Sequence, residues 1–197
     1  MRCTNCSKES EISIASNPFC KSCMVDLVEK RIRKFIRAAN YLKKEDRVLV
    51  IGKFADKVIK GIVKGLPLKI KIKEDMGFND DPKGFIERLN KEEHEYDKII
   101  LPWTAEHECC LFLEQMLGKE ADFSILGNTI RQKYIKLFRP LQEQELEIFA
   151  AAKGFSFQRR KKDIYTNILD TMDRKYPESR FSLLKSIDDL AVALDKR

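Results

Sequence analysis

Short apolar runs alternate with helical segments through most of this sequence of 197 residues. Four runs have the β-branched composition or the strict alternation that strands show: 47–51, 68–73, 96–102 and 134–138. Helical segments lie between them, one beginning near Asp56, one after Thr104 and one spanning 142–153. This order predicts an α/β fold with a parallel, doubly wound sheet, followed by two C-terminal helices at 162–175 and 182–196.

Two CxxC pairs stand before the first of these strands, Cys3 with Cys6 and Cys20 with Cys23. Two short turns of this kind can present four thiolates as a tetrahedral site, which favours Zn²⁺ over iron. The alternatives are a redox CxxC and chance spacing. Because so few apolar residues lie between the pairs, this segment could hardly fold without its metal. The spacing predicts a zinc ribbon over residues 1–24.

A basic helix is predicted next, connecting the ribbon to the sheet over residues 25–45. Five cations fall within eight positions of this helix: Lys30, Arg31, Arg33, Lys34 and Arg37. Beside a zinc ribbon, a cluster of this kind can follow the phosphates of RNA. The alternative is a solvated helix face, which is what most charge runs are.

Charge and hydropathy limit the classes of partner. The net charge is +7, from 38 basic and 31 acidic residues, which permits a nucleic-acid partner without requiring one. We find no apolar run near the roughly 20 residues that span a bilayer, and the first residues lack the apolar core of a signal peptide. These features predict a cytoplasmic protein with no membrane partner.

The loop after the first long strand raises the question of phosphate binding. It reads Gly52-Lys53-Phe54-Ala55-Asp56-Lys57, with one glycine and with Phe54 near the tightest part of the turn. A phosphate cradle uses glycines because side chains block the approach of phosphate oxygens to backbone N–H groups. The residues alone leave three alternatives open: a phosphate-binding loop that still works, one that has lost its function, and a simple connection between strand and helix.

The order of elements resembles the PP-loop enzymes that place sulfur on the wobble uridine of tRNA, the tRNA 2-thiouridine synthesis family. Four stretches carry the likeness over nearly the whole chain: "EKRIRKFIRAANYLKKEDRVLV", "DKIILPWTAEHECCLFLEQMLGKE", "IKLFRPLQEQELEIFAAAKG" and "YPESRFSLLKSIDDL". The resemblance implies a PP-loop (HUP-like) α/β domain over residues 46–160, with C-terminal helices over 161–197.

The chain departs from that family at three places. The family's SGGxDS loop becomes GKFADK, in which Asp56 matches the aspartate and Lys57 replaces the last serine, so we interpret the loop as a degenerate phosphate loop. The family's GHNxDDxAE motif corresponds to residues 102–110, where His107 and Glu108 read as exposed polar residues of a first helical turn. The family's internal CxxC and later cysteine are missing, and the adjacent Cys109 and Cys110 are poorly placed to share a ligand.

Three losses on a retained scaffold predict a pseudoenzyme, namely the non-catalytic subunit of a tRNA wobble-uridine 2-thiolation complex. In this hypothesis ATP is not expected to bind, and Zn²⁺ is the only cofactor. The partners that the resemblance implies are an active PP-loop subunit, tRNA and a ubiquitin-like sulfur carrier protein.

Two other functions compete with this one. The first is an active ATP-dependent tRNA sulfurtransferase, in which Lys53, Asp56 and Lys57 hold the triphosphate and Cys109 or Cys110 carries sulfur. The second is a stand-alone zinc-ribbon RNA-binding protein with no role in thiolation.

Overall fold

The structure, a computed structural model, describes residues 1–14, 17–38, 40–89, 93–118, 122–127, 133–177 and 179–195. The strands are β1 (Ile12–Ile14), β2 (Asn17–Phe19), β3 (Arg47–Ile51), β4 (Lys69–Lys73), β5 (Lys98–Thr104) and β6 (Tyr134–Phe138). The helices are α1 (Lys21–Ala38), α2 (Lys53–Ile62), α3 (Pro82–Leu89), α4 (Ala105–Leu117), α5 (Glu143–Lys153), α6 (Ile164–Lys175) and α7 (Ser179–Asp195).

A parallel four-stranded sheet forms the centre of the molecule, in the order β4-β3-β5-β6. Its strands alternate their side chains between two cores, so that Val48 and Val50 face one layer while Leu49 and Ile51 face the other. Helices α1, α2 and α5 cover the first face, and α3, α4, α6 and α7 cover the second. The predicted doubly wound α/β fold is confirmed.

The predicted element boundaries hold best where a buried run ends at a turn. β3 and β6 have the predicted bounds, and the lysine-rich strand β4 lies at the sheet edge as expected. β5 continues two residues beyond its predicted end at Pro102. The pairing of β5 with β6 shifts register between Leu101 and Thr104, and proline, which has no backbone N–H, is tolerated at such an irregularity. α7 begins earlier than predicted, and Lys196 lies outside the described residues.

Local signals explain where α4 and α5 start and stop. The Thr104 hydroxyl accepts a hydrogen bond from the His107 backbone N–H and caps α4, as predicted. α5 ends at Gly154, whose left-handed φ of 69° is easily reached only without a side chain. Within the described part of the chain, no helix combines the length and the apolar character needed to cross a membrane.

The direction of winding reverses between β3 and β5. The chain leaves β3 through α2 on one face to reach β4, and then returns through α3 on the other face to β5. In open α/β sheets, the crevice outside the carboxyl ends of two such strands is the usual ligand site. The fold therefore directs attention to the starts of α2 and α4.

Candidate functional site

The four N-terminal cysteines converge on one point. The β1–β2 hairpin brings the turn that holds Cys3 and Cys6 against the start of α1, where Cys20 and Cys23 lie. The four Sγ atoms all lie within 4.8 Å of one another, and those of Cys6 and Cys20 are 3.6 Å apart. Three of the thiols are buried and that of Cys6 is exposed.

This arrangement fits a single tetrahedral ion. With Zn–S bonds of about 2.3 Å, a tetrahedron of thiolates has sulfurs about 3.8 Å apart, close to the observed spacing. The ribbon's own apolar cluster is small, with Phe19 packed against three of the cysteines. The four-cysteine group could therefore hold a metal ion, as the spacing predicts, and the ion would supply most of the ribbon's stability.

A cavity of about 430 Å³ opens at the switch point between β3 and β5, and we call it the switch-point cavity. The first residues of α2, Lys53 to Ala55, form one wall. Glu74 and Asp75, which follow β4, also line the cavity, and so does His107 of α4.

The turn into α2 has only part of the character of a phosphate cradle. Gly52 has a φ of 86°, a conformation that residues with a side chain rarely adopt, and a Cβ at this position would lie 2.8 Å from the Asp75 carboxylate. No side chain caps α2, which leaves its positive end directed toward the cavity. The Asp75 carboxylate nevertheless lies beside this turn, and its negative charge opposes the approach of an anion.

The other residues of the predicted phosphate loop diverge. The Lys53 ammonium lies at the cavity, 3.8 Å from the Glu74 carboxylate. The Asp56 carboxylate instead binds the Lys60 ammonium at 2.9 Å, one turn further along α2. The Lys57 ammonium lies 5.0 Å from the centre of the Phe155 ring. Of the three charged side chains, Lys53 is the one that reaches the cavity.

Phe54 forms part of the cavity wall through aromatic packing. Its ring centroid lies 5.2 Å from those of both Phe138 and Phe157. Those contacts join the start of α2 to the end of β6 and to the segment after α5. The bulky residue that the sequence places near the tight turn is therefore held by a cluster at the carboxyl edge of the sheet.

The predicted RNA-binding cations of α1 separate into two groups. Lys30, Lys34 and Arg37 are exposed and follow one helix face at i, i+4 and i+7 spacing. Arg31 donates to the buried Glu145 carboxylate at 2.6 Å and thereby ties α1 to α5. Arg33 pairs with Glu29 on its own helix at 2.5 Å. Three of the five cations therefore remain for an external partner.

Three consecutive polar residues in the first turn of α4 are buried. Glu106, His107 and Glu108 expose 5%, 2% and 0% of their surfaces, so the prediction that His107 and Glu108 are exposed is wrong. The cause is tertiary, because residues distant in the sequence partner these side chains: Arg180 of α7 pairs with Glu106, Asn79 lies against His107, and Lys136 of β6 binds Glu108.

His107 is neutral at physiological pH. Its Nδ1 lies 2.7 Å from the Thr104 hydroxyl, and its Nε2 lies 3.2 Å from the side-chain oxygen of Asn79. Burial lowers the pKa of His107 to about 3. The ring therefore helps to form the cavity wall as a hydrogen-bonded group, with Phe78 packed beside it at 5.2 Å.

The two glutamates each bind a buried cation. Glu108 accepts from the Lys136 ammonium at 2.5 Å and lies 3.3 Å from the Arg139 guanidinium. Burial lowers the pKa of Lys136 to about 8, against the opposing effect of Glu108. Glu106 pairs with Arg180 at 2.5 Å, and burial, which outweighs that pair, raises the pKa of Glu106 to about 7.

Cys109 and Cys110 are both fully buried, which agrees with a packing role. Burial raises the pKa of Cys109 well above its usual value and raises that of Cys110 to about 12. The Cys109 thiol lies 3.7 Å from the Arg180 carbonyl. Both groups are thus neutral thiols away from solvent, which speaks against a sulfur-carrying role.

Sequence reasoning missed the segment between α5 and α6, which reads FSFQRRKK from Phe155 to Lys162. It crosses the carboxyl edge of the sheet, and Ser156, Phe157 and Gln158 line the switch-point cavity. Four consecutive cations beside two aromatic residues were the available signal, because basic patches next to aromatic rings are typical of nucleic-acid binding.

Comparison with known proteins gives a match in structure but not in sequence. No protein-family model matches the chain, and no curated protein sequence matches it. Its structure is similar to that of the U34-tRNA thiolase NcsA from Methanococcus maripaludis, which was solved with its [4Fe-4S] cluster. The TM-score is 0.71 at 18% sequence identity, over 96% of this chain and 88% of that one. The two chains share one fold.

This comparison corrects one prediction and widens another. The prediction that the chain is not an enzyme is wrong, because the solved structure that it matches over nearly its whole length is that of an enzyme, a tRNA thiolase. The sequence predicts zinc as the metal of the four-cysteine group. The cluster in the thiolase adds an iron–sulfur centre to the candidates, and the ability to hold a metal ion is what the geometry supports.

Proposed function

We propose that this chain is a tRNA-thiolation protein that binds a nucleotide in the switch-point cavity and tRNA on its exposed cations. The observation that carries the proposal is the cavity itself, which lies at the switch point of a fold shared with a tRNA thiolase. The sequence resemblance to the tRNA 2-thiouridine synthesis family supports the same role independently of the structural match.

The nucleotide would meet α2 through its uncapped N-terminus and the Lys53 ammonium. Glu74 and Asp75 face the same space, so a triphosphate would bind together with a divalent cation that offsets their charge. Asp56 and Lys57 would not contribute, since their side chains bind Lys60 and Phe155. The groups of this atypical phosphate loop that would bind the phosphates are therefore the backbone N–H groups of residues 52–55 and the Lys53 ammonium.

The sulfur would come from a second protein. Apart from the four ribbon cysteines, the chain has Cys109 and Cys110, and both are buried. A ubiquitin-like sulfur carrier protein, which the resemblance implies, would meet this need. An active PP-loop subunit as a further partner stays a prediction, as does the identity of the ribbon's metal, for which we propose Zn²⁺.

Nucleotide binding is tested with the purified chain, Mg²⁺ and tRNA. We expect ATP to bind and tRNA-dependent AMP to form. The Lys53→Ala variant should weaken ATP binding about tenfold, which corresponds to roughly one hydrogen bond to a charged group. Lys57→Ala is the matched control, because it removes the neighbouring exposed cation outside the cavity. Equal ATP affinity in both variants, or no AMP at all, would contradict the proposal.

tRNA binding is tested on the exposed face of α1. Replacing Lys30 and Lys34 by alanine should reduce the slope of log Kobs against log salt concentration by about 0.9 for each duplex phosphate that the variant no longer binds. The matched control is Lys43→Ala with Lys44→Ala, two exposed lysines in the loop before β3. A slope that is unchanged in the α1 variant would show that tRNA lies elsewhere.

A further inference from the structure

A second and larger cavity, of about 1080 Å³, is lined by the same segment after α5 that lines the switch-point cavity. It lies between the start of α5, residues 159–162 and one face of α6, and we call it the α5–α6 groove. The segment after α5 joins the two cavities, since Ser156 to Gln158 line the first and Arg159 and Arg160 line the second. A ligand strand in the groove would therefore end beside the proposed nucleotide.

The acidic groups of the groove already have partners inside the protein. The Arg180 guanidinium binds the carboxylates of Glu106 and Asp170 at 2.5 Å each and that of Asp173 at 2.7 Å. The Glu143 carboxylate accepts a hydrogen bond from the backbone N–H of Arg160 at 3.0 Å. The carboxylates at the base of the groove are thus engaged, which reduces their repulsion of an anion.

Cations surround the mouth of the groove. Arg159, Lys162 and Arg174 are exposed and line it. Arg159 pairs with Glu147, and Lys162 lies 3.2 Å from Asp170, both in solvent-exposed ion pairs. Exposed pairs of this kind are weak, so phosphate oxygens can replace the carboxylates.

Uncharged polar side chains complete the lining. Gln144 at the start of α5 and Asn167 on α6 both lie in the groove, and within the described residues neither side-chain amide has a hydrogen-bond partner. An amide offers a donor and an acceptor together, which is the pattern that base edges require. Phosphate-binding cations around free amides are suited to an unpaired nucleic-acid strand, whose base edges are accessible.

We propose that the α5–α6 groove receives a single-stranded segment of tRNA, with phosphates on Arg159, Lys162 and Arg174 and base edges on Gln144 and Asn167. This inference rests on the proposed function and extends it, because it places the loop that carries the modified uridine beside the switch-point cavity. The exposed face of α1 would then hold another part of the tRNA.

The position of the strand is tested by photocrosslinking. The full chain is mixed with a tRNA transcript that carries 4-thiouridine at the wobble position, irradiated, digested and analysed by mass spectrometry. We expect the crosslinked peptides to come from residues 144–174 around the groove. Crosslinks confined to the ribbon or α1 would overturn the groove and leave the proposed function standing, whereas a tRNA that does not bind would overturn both.

Variants test which side chains bind the strand. Alanine at Arg159, Lys162 and Arg174 should reduce the salt slope of single-stranded RNA binding by about 2, since each single-strand phosphate contact contributes about 0.7. The Lys43→Ala, Lys44→Ala control should leave that slope unchanged. The Gln144→Ala, Asn167→Ala variant should lose the wobble-position crosslink and keep the salt slope. If polyglutamate displaces the bound single-stranded RNA as strongly as unlabelled RNA does, the proposal is overturned in favour of an acidic protein partner.

Discussion

The N-terminal ribbon and the first turn of α4 both bring reactive side chains together, but they do so by opposite means. In the ribbon, four cysteines converge through two short turns and one hairpin, with little apolar packing of their own. In α4, Glu106, His107 and Glu108 are adjacent in sequence, and each one is held by a different distant element. The ribbon should therefore unfold as a unit when one ligand or the metal is removed. The first turn of α4 should instead lose stability in steps, as each distant partner is removed.

The largest effect is expected from removing the ribbon's metal. Structural zinc supplies on the order of 10 kcal/mol to small sites of this kind, far more than the ribbon's apolar cluster can. A strong chelator or the Cys20→Ser variant should therefore unfold the ribbon while leaving the sheet folded. Metal analysis and amide hydrogen exchange of residues 1–24 measure this outcome.

The control for this prediction is Cys110→Ser, which changes a cysteine outside the ribbon. It should keep the metal even if it destabilises the core. Metal analysis of the untreated chain also separates zinc from an iron–sulfur centre, and iron with inorganic sulfide would contradict the proposed zinc. If residues 1–24 stay protected from hydrogen exchange after chelation, the ribbon does not depend on its metal and the proposed difference between the two regions is wrong.

The same contrast explains which parts could be predicted from sequence. The four-cysteine group and β3 are encoded by spacing and composition within a few residues, so a short window suffices to predict them. Glu108 reads as an exposed residue of a first helical turn, and the burial of Glu106 beside it could not be predicted either, because their partners Lys136 and Arg180 lie 28 and 74 residues further along the chain. The sequence pattern within α4 does not predict those pairings. For the same reason the sequence does not predict that the side chains of Lys53, Asp56 and Lys57 point to different partners.

A smaller but substantial effect is expected from Lys136→Met. The change removes the closest cation of the buried Glu108 carboxylate and leaves it with Arg139 at 3.3 Å, and breaking a buried ion pair typically costs about 3–5 kcal/mol. Urea unfolding measures the free energy of unfolding of the variant. Adding Glu108→Gln should recover part of the loss, because the second change removes the carboxylate charge that has lost its closest partner.

An exposed ion pair provides the control for that measurement. Lys21 and Glu11 are 3.4 Å apart with more than half of each side chain exposed, so Lys21→Ala should change the free energy of unfolding by less than about 1 kcal/mol. If Lys136→Met costs no more than Lys21→Ala, then the first turn of α4 does not depend on its distant partners.

The effect that is smallest at neutral pH concerns His107, because its contribution appears only as the pH is lowered. In the unfolded chain a histidine takes up a proton below about pH 6.5, whereas burial keeps the pKa of His107 at about 3 in the folded chain. The unfolded state therefore binds more protons between these values, and stability falls as the pH is lowered through that window. The contribution reaches at most about 4 kcal/mol near pH 3, with a slope of up to about 1.4 kcal/mol per pH unit.

Comparison with the His107→Gln variant isolates this contribution, because carboxylate titration is common to both proteins. The difference in free energy of unfolding between wild type and variant should shrink as the pH falls from about 6.5. His94→Gln, which changes the chain's other histidine at an exposed position, is the control. A difference that stays constant with pH would mean that His107 gains its proton in the folded state. The wall of the switch-point cavity would then be accessible to water, and His107 could transfer protons there. The same titration therefore distinguishes a structural role of the His107 ring from a role in proton transfer.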